Sequence, residues 1–221
     1  MKLLITFLLF SGISYGQINK KFNNLKDCEG LELSHLPGVY EEDITIRLKV
    51  PEGGKVELIT NNKFRSVSNE VKIDVPSVLK ISYRDNEGRI KNFVGNYIVN
   101  QKHNLPIVAL TVDPNDFFPP NGIYVGYMVA DTAGGNPRTV GRAWDKQPIA
   151  AHAQFFFNND LKEELEIDLK TYGGMTLGWN EKSLQMSARK ELHGKGKINV
   201  KAFRQLPYRS YQHLVLRTSG N

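Results

Sequence analysis

Cysteine is nearly absent. Cys28 is the only one in 221 residues, so no disulfide forms within the chain and the hydrophobic core must hold the fold. The residue is read as a lone thiol, buried or free, ahead of pairing with another molecule. Zinc spacing is absent as well: His35, His103, His152, His193 and His213 are dispersed, none at a zinc-site interval from another ligand. They are expected at the surface or in packing, and no metal ligands are assigned. Beyond residue 16 no run is apolar and long enough to cross a bilayer, and no long amphipathic helical pattern occurs. There is no Gly-x-Ser-x-Gly elbow, and the Ser-x-x-Lys match at residues 77–80 falls in an expected strand instead of opening a helix.

What is present begins with a leader. Lys2, the apolar stretch LLITFLLF and the small residues Ser14 and Gly16 follow one another as in an export signal. Residues 1–16 are therefore read as a signal peptide cut after Gly16. The expected location is secreted, periplasmic or at the cell surface, and no lipoprotein anchor is expected because Cys28 does not directly follow the leader. The 29 Lys and Arg outnumber 23 Asp and Glu by six. That excess is read as a solvated surface spread along the chain. Charge alone does not choose among anionic polysaccharide, an acidic coat and nucleic acid, and nucleic acid is not expected as a partner.

From Gly38 the chain reads as strands divided by turn residues. DITIRLKV alternates with period two, setting Ile44, Ile46, Leu48 and Val50 on one face. KVELIT, EVKIDV, VLKISYR and NFVGNYIV follow at short intervals, with NNK and DNEG as turns. The expectation is a small antiparallel β-sandwich over residues 29–100. NQKHN then links to a second block, which opens on the nearly continuous apolar strand LPIVALTV. GIYVGYMV, PIAAHAQFFF, ELEIDLKTY, KSLQMSAR, KINVKAF and HLVLRT are its further expected strands, and a long glycine-rich loop precedes PIAAHAQFFF. The fold class is mostly β.

Residues 173–189, GGMTLGWNEKSLQMSAR, have the glycine spacing of a phosphate loop, Gly173 to Gly178, with Lys182-Ser183 behind. A P-loop lysine directly follows its second glycine, because loop amides and lysine close on the same phosphates at a helix N-terminus. Here Trp179, Asn180 and Glu181 intervene and the flanks alternate as strands, which excludes a P-loop. Alternation sets Lys182, Leu184 and Met186 on the apolar face of their strand, with Ser183, Gln185 and Ser187 on the other. Asp113 and Asp116 in DPND read as turn chemistry. Residues 189–197 read as a solvated basic hairpin turn ahead of a phosphate or polyanion contact, and Arg204, Tyr208, Arg209 and Tyr211, whose types could stack on nucleotides or sugars, as packing and rim.

Two family resemblances add to this. PGVYEEDITIRLKVPEGGKVELITNN, with its Gly-x-Tyr opening, alternating strand and glycine turn, resembles the chitobiase C-terminal-like β-sandwich module. Such modules are usually accessory. The second block, residues 105–221, resembles the N-terminal part of the CotH (spore coat protein H) kinase-like domain. The likeness rests on Leu105-Pro106, Asp113-Pro114, Gly122-Ile123-Tyr124-Val125, Phe155-Phe156, Gly173-Gly174, Thr176, Lys182-Ser183-Leu184, Arg189 and the closing LVLRTSGN. Leu177, Gln154 and Asp168 depart from it, standing where Arg, an acid and Gly are common.

The resemblance implies an incomplete α+β kinase-like lobe and transfer of phosphate from ATP, with Mg or Mn, to a protein. Lys182, Gly173 and Gly174 are then the nucleotide-binding candidates, and no catalytic residue is identified. In the family the metal-holding acids follow the LRTSGN strand, so this chain is expected to be an inactive fragment. The competing expectation is a non-catalytic surface or matrix protein whose β modules bind extracellular polysaccharide or another protein.

Overall fold

The computed structural model describes residues 4–9, 27–60, 63–101, 105–118, 120, 122–129 and 138–217. The cleavage point expected after Gly16, the glycines of residues 130–137 and the closing TSGN lie outside the described residues. The described chain is mostly β. Its strands in order are β1 (Leu4–Leu9), β2 (Glu32–Leu33), β3 (Gly38–Val39), β4 (Ile44–Lys49), β5 (Lys55–Thr60), β6 (Lys63–Ser66), β7 (Glu70–Ile73) and β8 (Ser77–Arg84). Then come β9 (Ile90–Ile98), β10 (Ile107–Val112), β11 (Tyr127–Val129), β12 (Arg138–Val140), β13 (Ile149–Phe157), β14 (Asp160–Tyr172), β15 (Ser183–Ser187) and β16 (His213–Leu216). No described helix is long and apolar enough to cross a membrane.

The chain forms two compact units, Met1–Thr111 with Ala153–Glu164, and Val112–His152 with Leu165–Asn221. In the first, β2, β4 and β7 form one sheet, while β3, β9, β8, β5 and β6 are successive neighbours in another. Their facing side chains make one core. Ile46 and Leu48 of β4 and Val71 and Ile73 of β7 cluster with Leu58, Leu79, Ile81, Phe93 and Tyr97. Along β4 the alternation is as read, with Ile46 and Leu48 buried and Thr45, Arg47 and Lys49 exposed. Cys28 is buried in this cluster, and burial raises its thiol pKa.

All six residues of β10 are buried, as a continuous apolar run requires. The segment Leu4–Leu9, expected to belong to a signal peptide, is a strand beside β10. The hairpin strand β6 has no counterpart in the sequence reading. On β9, residues 94, 96 and 98 turn their backbone groups to the same edge. Ile98 is met there by β3, through Tyr40 N–H to its carbonyl at 2.8 Å. Beyond the two residues of β3 the side-chain amide of Gln154 takes over the edge. Its Oε1 accepts from Asn96 N at 3.0 Å, and its Nε2 donates to the Val94 carbonyl at 3.3 Å.

In the second unit residues 168–172 of β14 pair antiparallel with β15, and β15 with β16. β11 and β12 form a separate antiparallel pair. Among the described residues two one-turn α-helices occur, α1 (Pro114–Phe117) and α2 (Lys190–His193). Asp113 caps α1 by accepting from Asn115 N at 2.8 Å. Two expected strands are corrected. GIYVGYMV is strand only from Tyr127, because the amides of Gly122, Ile123 and Tyr124 return to carbonyls of Phe118, Asp116 and Phe117. KINVKAF makes a single bridge, Ile198 to Tyr211; Ile198 and Val200 are buried anchors, which alternate as a strand would. On β15 both faces are covered, since Ser183 and Ser187 are buried along with Leu184 and Met186.

Candidate functional site

Register brings the sequence candidates together. Tyr172 and Ser183 are paired across β14 and β15, so Gly173 and Lys182 are the next residues out on the two sides of that pair. They form the mouth of a ten-residue loop. Gly173 has φ +131°, and a Cβ there would sit 2.7 Å from Thr176 Oγ1, so the position suits glycine alone. Gly174 opens a 3-10 turn, Met175–Gly178, whose Leu177 N–H returns to the Gly174 carbonyl at 3.0 Å. A Cβ at Gly174 would meet nothing within 4 Å.

Lys182 is only 6% exposed. Its Nζ donates to the Trp179 carbonyl at 2.5 Å and lies 5.1 Å from the centre of the Tyr124 ring, a cation–π distance. The Tyr124 hydroxyl accepts from Lys182 N at 3.0 Å, and that ring stacks on Phe117 at 4.9 Å. Gly126 completes the wall. A Cβ at Gly126 would stand 2.6 Å from Ala143 Cβ, 2.7 Å from the Leu177 carbonyl and 3.3 Å from Lys182 Cε. Thr171 Oγ1 holds the Ala143 carbonyl at 2.7 Å, tying the end of β14 to the 3-10 turn Arg142–Trp144.

Among the described residues no carboxylate pairs with Lys182. Burial accordingly lowers its pKa from the ordinary lysine value. A desolvated amine whose acceptors are one carbonyl and a ring face has unused capacity for anionic oxygens. Sequence reasoning named Lys182, Gly173 and Gly174 and missed the wall. Tyr124 and Gly126 lie within or beside the motif Gly122-Ile123-Tyr124-Val125, which carried a signal, whereas the Trp179 carbonyl is backbone and leaves none.

The three departures have structural partners. Leu177 is fully buried. Gln154 donates to Glu164 Oε2 at 2.9 Å besides its bonds to β9. Asp168 binds His193 Nε2 at 2.8 Å and the Arg189 guanidinium, pinning α2 to β14. His152 contacts Glu166 at 2.8 Å, and His213 contacts Ser187 Oγ at 2.9 Å. No group of three His, Cys, Asp or Glu among the described residues is arranged to hold a metal ion. No family model, curated protein or solved structure matches this chain.

Proposed function

We propose that Lys182 and the loop from Gly173 grip the phosphates of a nucleotide, as the lysine-bearing part of an exported CotH kinase-like phosphotransfer protein. The supporting observation is the buried Lys182 amine, which has no carboxylate partner among the described residues. A surface lysine is solvated or loosely paired, while a phosphate-binding lysine must be held desolvated and still positively charged. The loop suits that role, with a glycine at its mouth whose φ is positive and a second with open space beside it. Handing the amine from the Trp179 carbonyl to a phosphate oxygen exchanges a neutral acceptor for a charged one, which strengthens the bond.

Phosphoryl transfer also requires that metal neutralise the nucleotide's charge and that an acid or its equivalent orient the nucleophile. No group of three or more His, Cys, Asp or Glu among the described residues could hold a metal ion, so the reading for them stops at phosphate binding. The test is equilibrium binding of ATP to the full chain and to Lys182→Ala, with circular dichroism as the check on folding. Affinity should fall by about tenfold or more with the lysine, in line with loss of one charged hydrogen bond. Equal ATP binding by the two proteins, or none by the wild type, removes the reading. Radiolabelled phosphate transfer, with Mg or Mn added, then asks whether a bound nucleotide is used.

A further inference from the structure

The positive charge is local. Residues 189–217 hold eight Lys and Arg against one acid, Glu191, a balance of +7 within a chain whose total is +6. The rest therefore sums to −1, and the excess is not spread along the chain as composition alone suggests. Within this segment residues 198–211 form a loop closed at its base. Ile198 N and Tyr211 N donate to each other's carbonyls at 2.7 and 3.0 Å, and Ile198 and Val200 are buried beneath it.

The loop has an internal structure of its own. The Tyr211 hydroxyl donates to the Tyr208 carbonyl at 3.0 Å, and the Phe203 ring meets Tyr211 edge-on at 5.9 Å. Its outer surface carries Phe203, Leu206 and Tyr208, which are 42%, 43% and 62% exposed, between the exposed cations Lys201, Arg204 and Arg209. Among the described residues none of these three cations has an ion-pair partner. Elsewhere Arg47, Lys49, Lys72, Arg89 and Lys162 each contact a carboxylate.

We propose that the loop at residues 198–211 is a docking surface for acidic polypeptide segments carrying apolar side chains among their carboxylates. Charge complementarity favours an anion, because an acid-free loop with three bases that have no ion-pair partner among the described residues attracts negative charge and repels positive charge. The apolar side chains choose the kind of anion. Arginine and aromatic residues together are the composition of protein interfaces and their hot spots. An acidic polysaccharide would use the cations and the Tyr208 ring but leave Leu206 and Phe203 without a counterpart. A closed base lowers the ordering cost of binding. The inference does not depend on Lys182 or on nucleotide binding.

The experiment is fluorescence anisotropy on the full chain with labelled random poly(Glu,Tyr), poly-Glu, alginate, and anionic phospholipid vesicles. Poly(Glu,Tyr) should bind tightest, about fivefold better than poly-Glu, and weaken as salt rises from about 50 to about 500 mM. Arg204→Ala with Arg209→Ala should lose about fivefold, while the charge-matched control Arg47→Ala with Lys162→Ala should lose nothing. Phe203→Ser with Tyr208→Ser should reduce poly(Glu,Tyr) binding to the poly-Glu level. Arg204, Arg209, Phe203 and Tyr208 are all exposed, and thermal melts check that each variant folds. The proposal is overturned if poly(Glu,Tyr) does not bind, if alginate or vesicles bind as tightly, or if the loop variants behave like the control.

Discussion

A lysine buried beside a carbonyl and a ring, without a carboxylate, costs stability whenever it is charged. The sign of its pH dependence follows from the lowered pKa of Lys182. Between that value and the ordinary 10.5 the unfolded chain binds the proton and the native chain does not, so stability rises with pH across that window. Lys182→Met fills similar volume without the charge. Relative to Lys182→Met, the wild type should gain stability as pH rises from neutral toward 10.5, measured by urea unfolding at several pH values; a flat difference would mean the amine is not desolvated. Gln154 makes the opposite case, a buried neutral group whose every bond has a direction. In Gln154→Glu an oxygen replaces the nitrogen that donates to the Val94 carbonyl and Glu164. The variant should lose about 3 kcal/mol at neutral pH. Burial raises the pKa of the introduced acid, so the native state holds the proton longer and the deficit should shrink as pH falls below the ordinary carboxylate range. The resemblance alone, in which an acid is common at this position, suggests the reverse outcome.

The loop between β14 and β15 was legible at its ends and not in its middle. Glycine at residues 173 and 174 and a lysine before an alternating strand announced themselves by residue type, because φ, charge and period are local properties. The Trp179 carbonyl under the ammonium is a backbone group of the loop itself, which residue type does not mark, and the Gly126 wall is set by chain brought in from elsewhere in the unit, which no local pattern encodes. The same limit explains the strands. β4, β5, β8 and β9 were readable because burial on one face or both leaves a clean pattern. KINVKAF imitated a strand because two buried anchors, Ile198 and Val200, are spaced by two without a partner ladder. β15 hid a second covered face because serines satisfied by neighbours look like surface serines. The wall itself is open to test. At Gly126 the contacts include the Leu177 carbonyl and Ala143 Cβ, neither of which is the far end of a flexible side chain. Gly126→Ala should cost about 2 kcal/mol and weaken ATP binding with it. Gly196→Ala, whose added carbon would meet Lys190 Cβ at an ordinary 3.4 Å, should stay within about 0.5 kcal/mol. Thermal and urea unfolding measure both, and equal effects would show that Gly126 is not a close approach.

At the scale of the molecule, the first unit is built from two separated stretches of sequence, Met1–Thr111 and Ala153–Glu164, serving more than one core. The cluster from Cys28 to Val99 lies entirely within residues 28–99, so the two facing sheets close without any later residue. A second cluster joins Val39 and Ile98 to Ile107, Ala109 and Phe156, and the edge of β9 is completed by Gln154. A chain of residues 27–101 therefore keeps its main core and loses a side cluster and an edge partner. It should fold to a β-rich state with a cooperative urea transition, because the larger apolar cluster is intact. It should also be less stable than the same unit in the full chain, by about 2 to 4 kcal/mol, since Ile98 and Val39 become exposed and Asn96 N must bond to water. Circular dichroism and limited proteolysis test the first statement, and denaturant midpoints test the second. An unfolded product would show that the sandwich needs β10 and β13 to exist. A product as stable as the full chain would show that the Gln154 amide and the second cluster contribute nothing to the sandwich, and would leave the predicted cost of Gln154→Glu to the introduced charge alone.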